Sequence, residues 1–329
     1  VLSNNLNNID EITKLSDDCR RHDLKILGPD INESYTKFTV NKSGAIRYGM
    51  GGIKGIGSNA VESIIKVREE GGTFKDIYDF VERINPAIVN KKGIESLVFS
   101  GAFDSLPEIN RAAFSVETAK DETFLDQIIR YASDFQKSEE SMKNSLFGGS
   151  DMIATVKPAI PVVPETDNIE LLKREKSLVG MYLSSHPLDK FRLEIDNIAT
   201  MNLSTYKEKI AELANETNPN AQPEDIIISG MVSEVKTFPK ANGNGIVANI
   251  SIEDFQTDYS FKLFDKDYET FLGFLHPHRA LLIKVGFRPR KRATEDKTGN
   301  KVLETIGYYP KVKAISLLDT ARETLFKEL

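Results

Sequence analysis

Cysteine occurs once in this chain, at Cys19, so neither a disulfide framework nor a zinc site built from cysteines is open to it. Histidine is nearly as scarce. Neither His22 nor His186 stands in a metal-ligand spacing in the sequence, and His276 and His278 flank Pro277 with no third ligand nearby in sequence, so none of the four reads as part of a metal site. No apolar run reaches the roughly 18 residues a membrane span needs, and no signal-peptide pattern is present. The expectation is a cytoplasmic protein with no membrane partner. Common catalytic signatures are missing too: there is no Walker loop, no Gly-x-Ser-x-Gly and no His-Glu-x-x-His. Metal-assisted nucleotidyl transfer needs paired carboxylates, and the nearest approach is Asp30-Ile31-Asn32, whose second position is an amide. The chain reads as non-catalytic by itself, with no cofactor of its own.

What is present is an ordinary globular composition. The 329 residues are 40% hydrophobic and 28% charged, which fits two or three domains. The chain starts at Val1 inside a helical pattern, as a piece of a longer protein would. Its net charge of −6 gives no support for a nucleic-acid partner, but the charge is unevenly spread. From Arg279 to Lys313 there are ten Lys/Arg against three Asp/Glu, a local footprint suited to phosphate.

The most telling stretch is Gly51-Gly52-Ile53-Lys54-Gly55-Ile56-Gly57-Ser58-Asn59. An apolar residue, a Gly-Ile-Gly turn and a helix starting near Ser58 make the pattern of a helix-hairpin-helix. The glycines allow a sharp turn and a close backbone approach, Ile56 can plug the turn into a core, and the new helix offers unpaired amides that suit a phosphate. Lys54 adds positive charge. Taken alone, the same residues also fit a plain tight connection between helices. Ala60, Val61, Ile64 and Ile65 then share one helical face, and Gly71-Gly72 ends the helix.

Helices are expected over residues 6–22, 74–84, 90–100 and 112–142, the last as one or two pieces. Tyr35 to Val40 alternates like a strand and Ile46-Arg47-Tyr48 returns from a turn. Lys91 and Lys92 open the helix at 90–100 and read either as a second, degenerate phosphate-binding unit or as an exposed helix start. Leu146 and Phe147 sit between a polar helix and Gly148-Gly149, where they suit a partner's pocket or local packing under the loop. Proline-bearing linkers cover 151–168 and 215–224, with helices at 170–183 and 203–213 between them.

After residue 224 the period changes from helical to two. Strands are expected at 226–238, 246–253, 259–264, 280–287 and 302–309, with a short helix at 268–275 and a closing helix at 316–329. Three strands, a helix and two strands is the order of an OB-fold barrel. Such barrels bind single strands through a basic groove and aromatic platforms. The candidates are Lys236, Phe238 and Lys240 on the first strand, Arg288, Arg290, Lys291 and Arg292 on the last hairpin, and Tyr308 or Tyr309.

Several segments, in order, resemble the C-family of bacterial replicative DNA polymerases, and specifically the C-terminal region of the DNA polymerase III alpha subunits. These are Cys19-Arg20-Arg21, Ile26 to Ser34, Ile46 to Gly57, Asn90-Lys91-Lys92, Ser100 to Asp104 and Glu175 to Leu188. The resemblance implies an α+β multidomain chain, a mostly helical helix-hairpin-helix region followed by a five-stranded OB-fold β-barrel. It implies residues 1–40 as the end of a fingers-like helical region, 41–150 as the hairpin and sliding-clamp-binding region, 151–222 as a helical connector, 223–315 as the OB domain and 316–329 as a C-terminal helix. Lys54, Gly55, Ile56, Gly57, Ser58, Asn59, Lys91 and Lys92 would grip duplex DNA, and the OB residues above would take single-stranded template. Lys143, Ser145, Leu146 and Phe147 would contact the sliding clamp, although the family's motif has Gln where this chain has Lys143. Other replicase subunits would be further partners. The DNA-directed DNA polymerase activity and its Mg2+ would belong to the parent protein, upstream of Val1. An NAD-dependent DNA ligase is a rival, but its Lys-x-Asp-Gly motif is absent and its barrel precedes its hairpins. An RNA- or protein-binding OB scaffold would leave Gly55-Ile56-Gly57 without a purpose.

Overall fold

The computed structural model describes residues 1–6, 8–107, 109–118, 122–144, 156–163, 169–240, 245–295 and 301–321. The chain divides into two compact units, Val1–His186 and Pro187–Leu329. The first is helical. Helix α1 (Ile9–Arg21) is followed by three two-residue strands, β1 (Ile26–Leu27), β2 (Thr39–Val40) and β3 (Ile46–Arg47), in the order β1-β3-β2. Tyr35 to Val40 alternates, yet only its last two residues pair as a strand. The carbonyls of Tyr35 and Thr36 instead accept from the amides of Met50 and Gly51, so their hydrogen bonds serve the 3-10 turn Met50–Gly52.

Four helices then build the core: α2 (Ser58–Gly71), α3 (Ile77–Arg83), α4 (Lys91–Phe99) and α5 (Phe124–Asn144). Each buries one face at helical spacing: Val61 and Ile64 on α2, Ile77, Phe80 and Val81 on α3, Leu97 and Val98 on α4, and Phe124 and Ile128 on α5. A chain of aromatic contacts runs from Phe74 through α3 to the start of α5. Phe74 meets Phe80 at 5.1 Å between ring centroids, Phe80 meets Phe103 at 4.9 Å, and Phe114 meets Phe124 at 5.7 Å. The helical pattern from Ala112 is broken into a 3-10 turn, Arg111–Ser115, and α5. The break is local chemistry. The Asn110 side chain accepts from the Ala113 amide, and Thr123 and Asp126 cap the start of α5 reciprocally. Helix α6 (Ile169–Val179) ends at Gly180.

The second unit begins with α7 (Arg192–Ile198), which the sequence reading missed, and α8 (Leu203–Leu213), capped by Asn202. Five strands follow: β4 (Ile226–Pro239), β5 (Ile246–Glu253), β6 (Asp258–Phe264), β7 (Ala280–Glu295) and β8 (Lys301–Leu317), with α9 (Asp265–Phe271) between β6 and β7. They form one antiparallel sheet in the order β6-β5-β4-β7-β8. This is OB-like connectivity, but among the described residues the outer strands β6 and β8 do not pair, so the expected barrel is an open sheet. Ala248, Ile250 and Ile252 of β5, with Leu281 and Ile283 of β7, pack the core beneath Leu203 and Tyr206 of α8. The last strand runs through Leu317, so the helix expected from 316 is restricted to 318–321 among the described residues.

Candidate nucleic-acid interface

The hairpin of the first unit is assembled from backbone constraints. After the buried Ile53, the Lys54 amide donates to the Leu178 carbonyl at 3.0 Å, which fixes the turn against α6. Gly55 has φ +90°, and a Cβ there would stand 2.5 Å from Ser96 Oγ. Only glycine meets both conditions without strain. Ile56 is half-buried and packs into the core, facing Gly93 of α4. Gly57 is extended (φ −81°, ψ 153°) and supplies no side chain to cap α2. The Ala60 and Val61 amides bond back to the Gly57 carbonyl. The amides of Ser58 and Asn59, both exposed residues, lie in the first turn where no intrahelical carbonyl reaches them. The positive end of the α2 dipole is therefore offered outward.

The second unit of the motif is built differently. At the start of α4 the Asn90 side chain accepts from the Gly93 amide at 3.0 Å, so this helix caps itself. Lys91 pairs with Asp126 of α5, and that hydrogen bond raises the lysine pKa and lowers the carboxylate's. Lys92 is exposed, with its Cε 3.6 Å from where a Gly55 Cβ would lie. The fold thus brings Lys92 beside the turn that carries Lys54 and ties Lys91 to α5.

Two buried polar arrangements hold this surface, and sequence reading found neither. Arg68 of α2 is buried and donates to the carbonyls of Ile31 and Ser34, each at 2.8 Å. Glu175 of α6, fully buried, accepts from the Ser184 amide at 2.9 Å, the Ser184 hydroxyl at 2.7 Å and the Leu183 amide, and pairs with Arg111. Arg111 also pairs with Asp104. Burial opposes the Arg111 charge, but the hydrogen bond to Asp104 and the attraction of both carboxylates outweigh it, so the guanidinium is held above its ordinary pKa. Asp30 is likewise structural. Its Oδ1 accepts from the amides of Asn32 and Glu33 in a local turn. Among the described residues no trio of His, Cys, Asp or Glu could hold a metal ion, and no helix is long and apolar enough to cross a membrane.

In the second unit, Phe238 is 52% exposed, Lys236 pairs with Glu234 at 2.8 Å, and Lys240 pairs with Asp265. Strand β7 pairs with β4 only as far as Val285, while its pairing with β8 continues to Glu295. Residues 286–295 and 301–311 therefore form a two-stranded ribbon beyond the main sheet. Arg288, Arg290, Lys291 and Arg292, expected on a connecting hairpin, lie within that ribbon and are exposed. Tyr308 and Tyr309 are separated by the pleat. Tyr308 is buried, its hydroxyl donating to the Asn218 and Ala221 carbonyls, while Tyr309 is 41% exposed and in register with Arg288. Ser145, Leu146 and Phe147 lie outside the described residues, as does the side chain of Lys143, whose backbone belongs to the last turn of α5.

Residues 23–114 match a protein family described as helix-hairpin-helix motif. The chain is similar to the DNA polymerase III subunit alpha of Borreliella burgdorferi, with 32% identity over 83% of this chain and 22% of the relative. It is similar to the protein of the same name from Neisseria meningitidis serogroup A, with 30% identity over 100% of this chain and 26% of the relative. The Pseudomonas aeruginosa subunit is 34% identical over 65% of this chain and 18% of the relative. The chain thus spans about a quarter or less of the length of these relatives. With a helix-hairpin-helix in its first unit and likeness that extends through its second, this chain belongs to the family of DNA polymerase III alpha subunits.

Proposed function

We propose that this chain is a DNA-gripping part of a DNA-directed DNA polymerase. The observation that carries the reading is the uncapped, exposed start of α2 at Gly57-Ser58-Asn59, beside Lys54 and Lys92. Amides and ammonium groups of this kind take phosphate oxygens and ignore base identity, as a polymerase must when it holds duplex of any sequence. Lys91, already paired with Asp126, is the weaker contributor. The Mg2+ chemistry of polymerisation belongs to other residues of the parent protein. The Asp30 carboxylate is engaged in its own turn and does not fit a metal pair.

Gly57→Asp tests the grip. A Cβ at Gly57 meets nothing within 4 Å, so the fold accepts a side chain there. Aspartate also caps a helix somewhat better than glycine, so stability is expected to hold or rise by roughly a few tenths of a kcal/mol. Its charge would stand where a phosphate should sit. The affinity for a short duplex, read by fluorescence anisotropy, is expected to fall about tenfold or more. Unchanged affinity would refute the role.

The same reading makes the OB-like sheet, with Lys236, Phe238, Lys240, Arg288, Arg290, Lys291 and Arg292, the holder of single-stranded template. It makes Leu146 and Phe147, with Lys143 and Ser145, the anchor for the sliding clamp among the other replicase subunits. Two adjacent large apolar residues before Gly148-Gly149 support the anchor. Changing Leu146 and Phe147 together to Ala is expected to abolish co-elution with the clamp, and intact co-elution would exclude it.

A further inference from the structure

Three lysines belong to the hairpin and the helix start beside it: Lys54, Lys91 and Lys92. Among the described residues only Lys91 of the three is in an ion pair, and its partner is Asp126, 35 residues away at the start of α5. The two sides of this pair are built differently. The Asp126 carboxylate is fixed: its Oδ2 accepts from the Thr123 hydroxyl at 2.7 Å and from the Thr123 amide at 3.3 Å, which leaves Oδ1 for Lys91. The lysine is a point charge on a flexible stem, and 57% of its side chain is exposed. A phosphate can therefore reach the ammonium without any part of the fold opening, but it must take the place of Asp126.

The pair also lies next to the duplex-facing turn. Lys91 and Lys92 are neighbours in the first turn of α4, and the Lys92 Cε is 3.6 Å from where a Gly55 Cβ would lie. Asp126 thus brings a carboxylate to the flank of a surface otherwise suited to polyanions. Its hydrogen bond raises the Lys91 pKa, and the same bond lowers the carboxylate's, so both groups stay charged at neutral pH and the pair is not released by titration.

We propose that Asp126 is a brake on the duplex grip, an internal stand-in for DNA phosphate that withholds Lys91 from the phosphate-binding set. Each phosphate neutralised by a lysine adds to affinity and to its salt dependence. A polymerase must slide along the duplex it holds, and a grip with one cation held back is easier to move. The proposal rests on the reading of the α2 hairpin as a phosphate grip and deepens it, by naming a residue that regulates that site. Glu95, one turn along α4 and exposed, acts on Lys91 through charge alone and serves as the control.

The test is fluorescence anisotropy of the whole chain with a short labelled duplex over a salt series. Asp126→Asn keeps the shape and an acceptor for Thr123 and removes the charge. It is expected to raise duplex affinity roughly three- to tenfold at low salt and to steepen the salt slope by up to about one unit. In a Lys91→Ala background the same substitution is expected to change affinity by less than about twofold, because no lysine is left to release. Glu95→Gln removes an equal charge without freeing Lys91, and a change of less than about twofold is expected. An equal gain from Asp126→Asn in both backgrounds, or a matching gain from Glu95→Gln, would overturn the brake, since long-range repulsion would then account for it. No gain from Asp126→Asn, with duplex binding that Gly57→Asp still weakens, would overturn the brake and leave the phosphate grip standing. Failure of both the unaltered chain and Asp126→Asn to bind duplex would overturn both.

Discussion

Replacing Glu175 by Ala is expected to cost the first unit about 3–5 kcal/mol, the range for breaking one side of a buried ion pair. The variant leaves Arg111 largely buried with Asp104 as its remaining carboxylate. It also orphans the amides of Leu183 and Ser184 and the Ser184 hydroxyl, all of which Glu175 accepts from. For a unit of this size the loss corresponds to a fall in Tm of roughly 10 °C, read by calorimetry of the whole chain. Glu175→Gln keeps the shape and one acceptor, so a smaller loss is expected. A loss under about 1 kcal/mol for the Ala variant would mean that the network is not what holds α6 to the 3-10 turn after α4.

Gly55→Ala is expected to destabilise the first unit by about 2–4 kcal/mol, combining backbone strain at positive φ with overpacking. The new Cβ would stand 2.5 Å from Ser96 Oγ. Because that clash is with a single atom, Gly55→Ala/Ser96→Ala should recover part of the loss, and the strain at φ +90° should remain. Gly57→Ala is the internal control, since its φ of −81° suits any residue and the space is open. Denaturant unfolding of the three variants measures these terms. Equal stability of Gly55→Ala and Gly57→Ala would contradict the account of the turn.

Local signals carried well from sequence to structure. The alternation of Ile246 to Glu253 gave β5, the Leu203 to Leu213 spacing gave α8, and Gly71-Gly72 ended α2. Each is decided by residues within a turn or a pleat of one another. The readings that failed depended on distant partners or on residues that hide the local pattern. Tyr35 and Thr36 alternate as a strand should, but their carbonyls are taken by Met50 and Gly51. The ribbon of β7 and β8 runs well past its expected ends because basic residues and prolines mask its strand character. The candidate site was legible at Gly55 to Asn59, where the backbone chemistry is written in the glycines. The engagement of Lys91 by Asp126 and of Arg111 by Glu175 was not, since partners 35 and 64 residues apart leave no periodic trace. One cue could have been used: Thr123-Phe124-Leu125-Asp126 is a capping pattern that places the start of α5.

The central claim is that the open amides at the start of α2 hold DNA phosphate, and amide-resolved NMR tests it most directly. On titration with a short duplex, the Ser58 and Asn59 amide resonances should move further than those at the self-capped start of α4, and the shifts should fade as salt is raised. Shifts elsewhere in the chain with Ser58 and Asn59 unmoved would contradict the account.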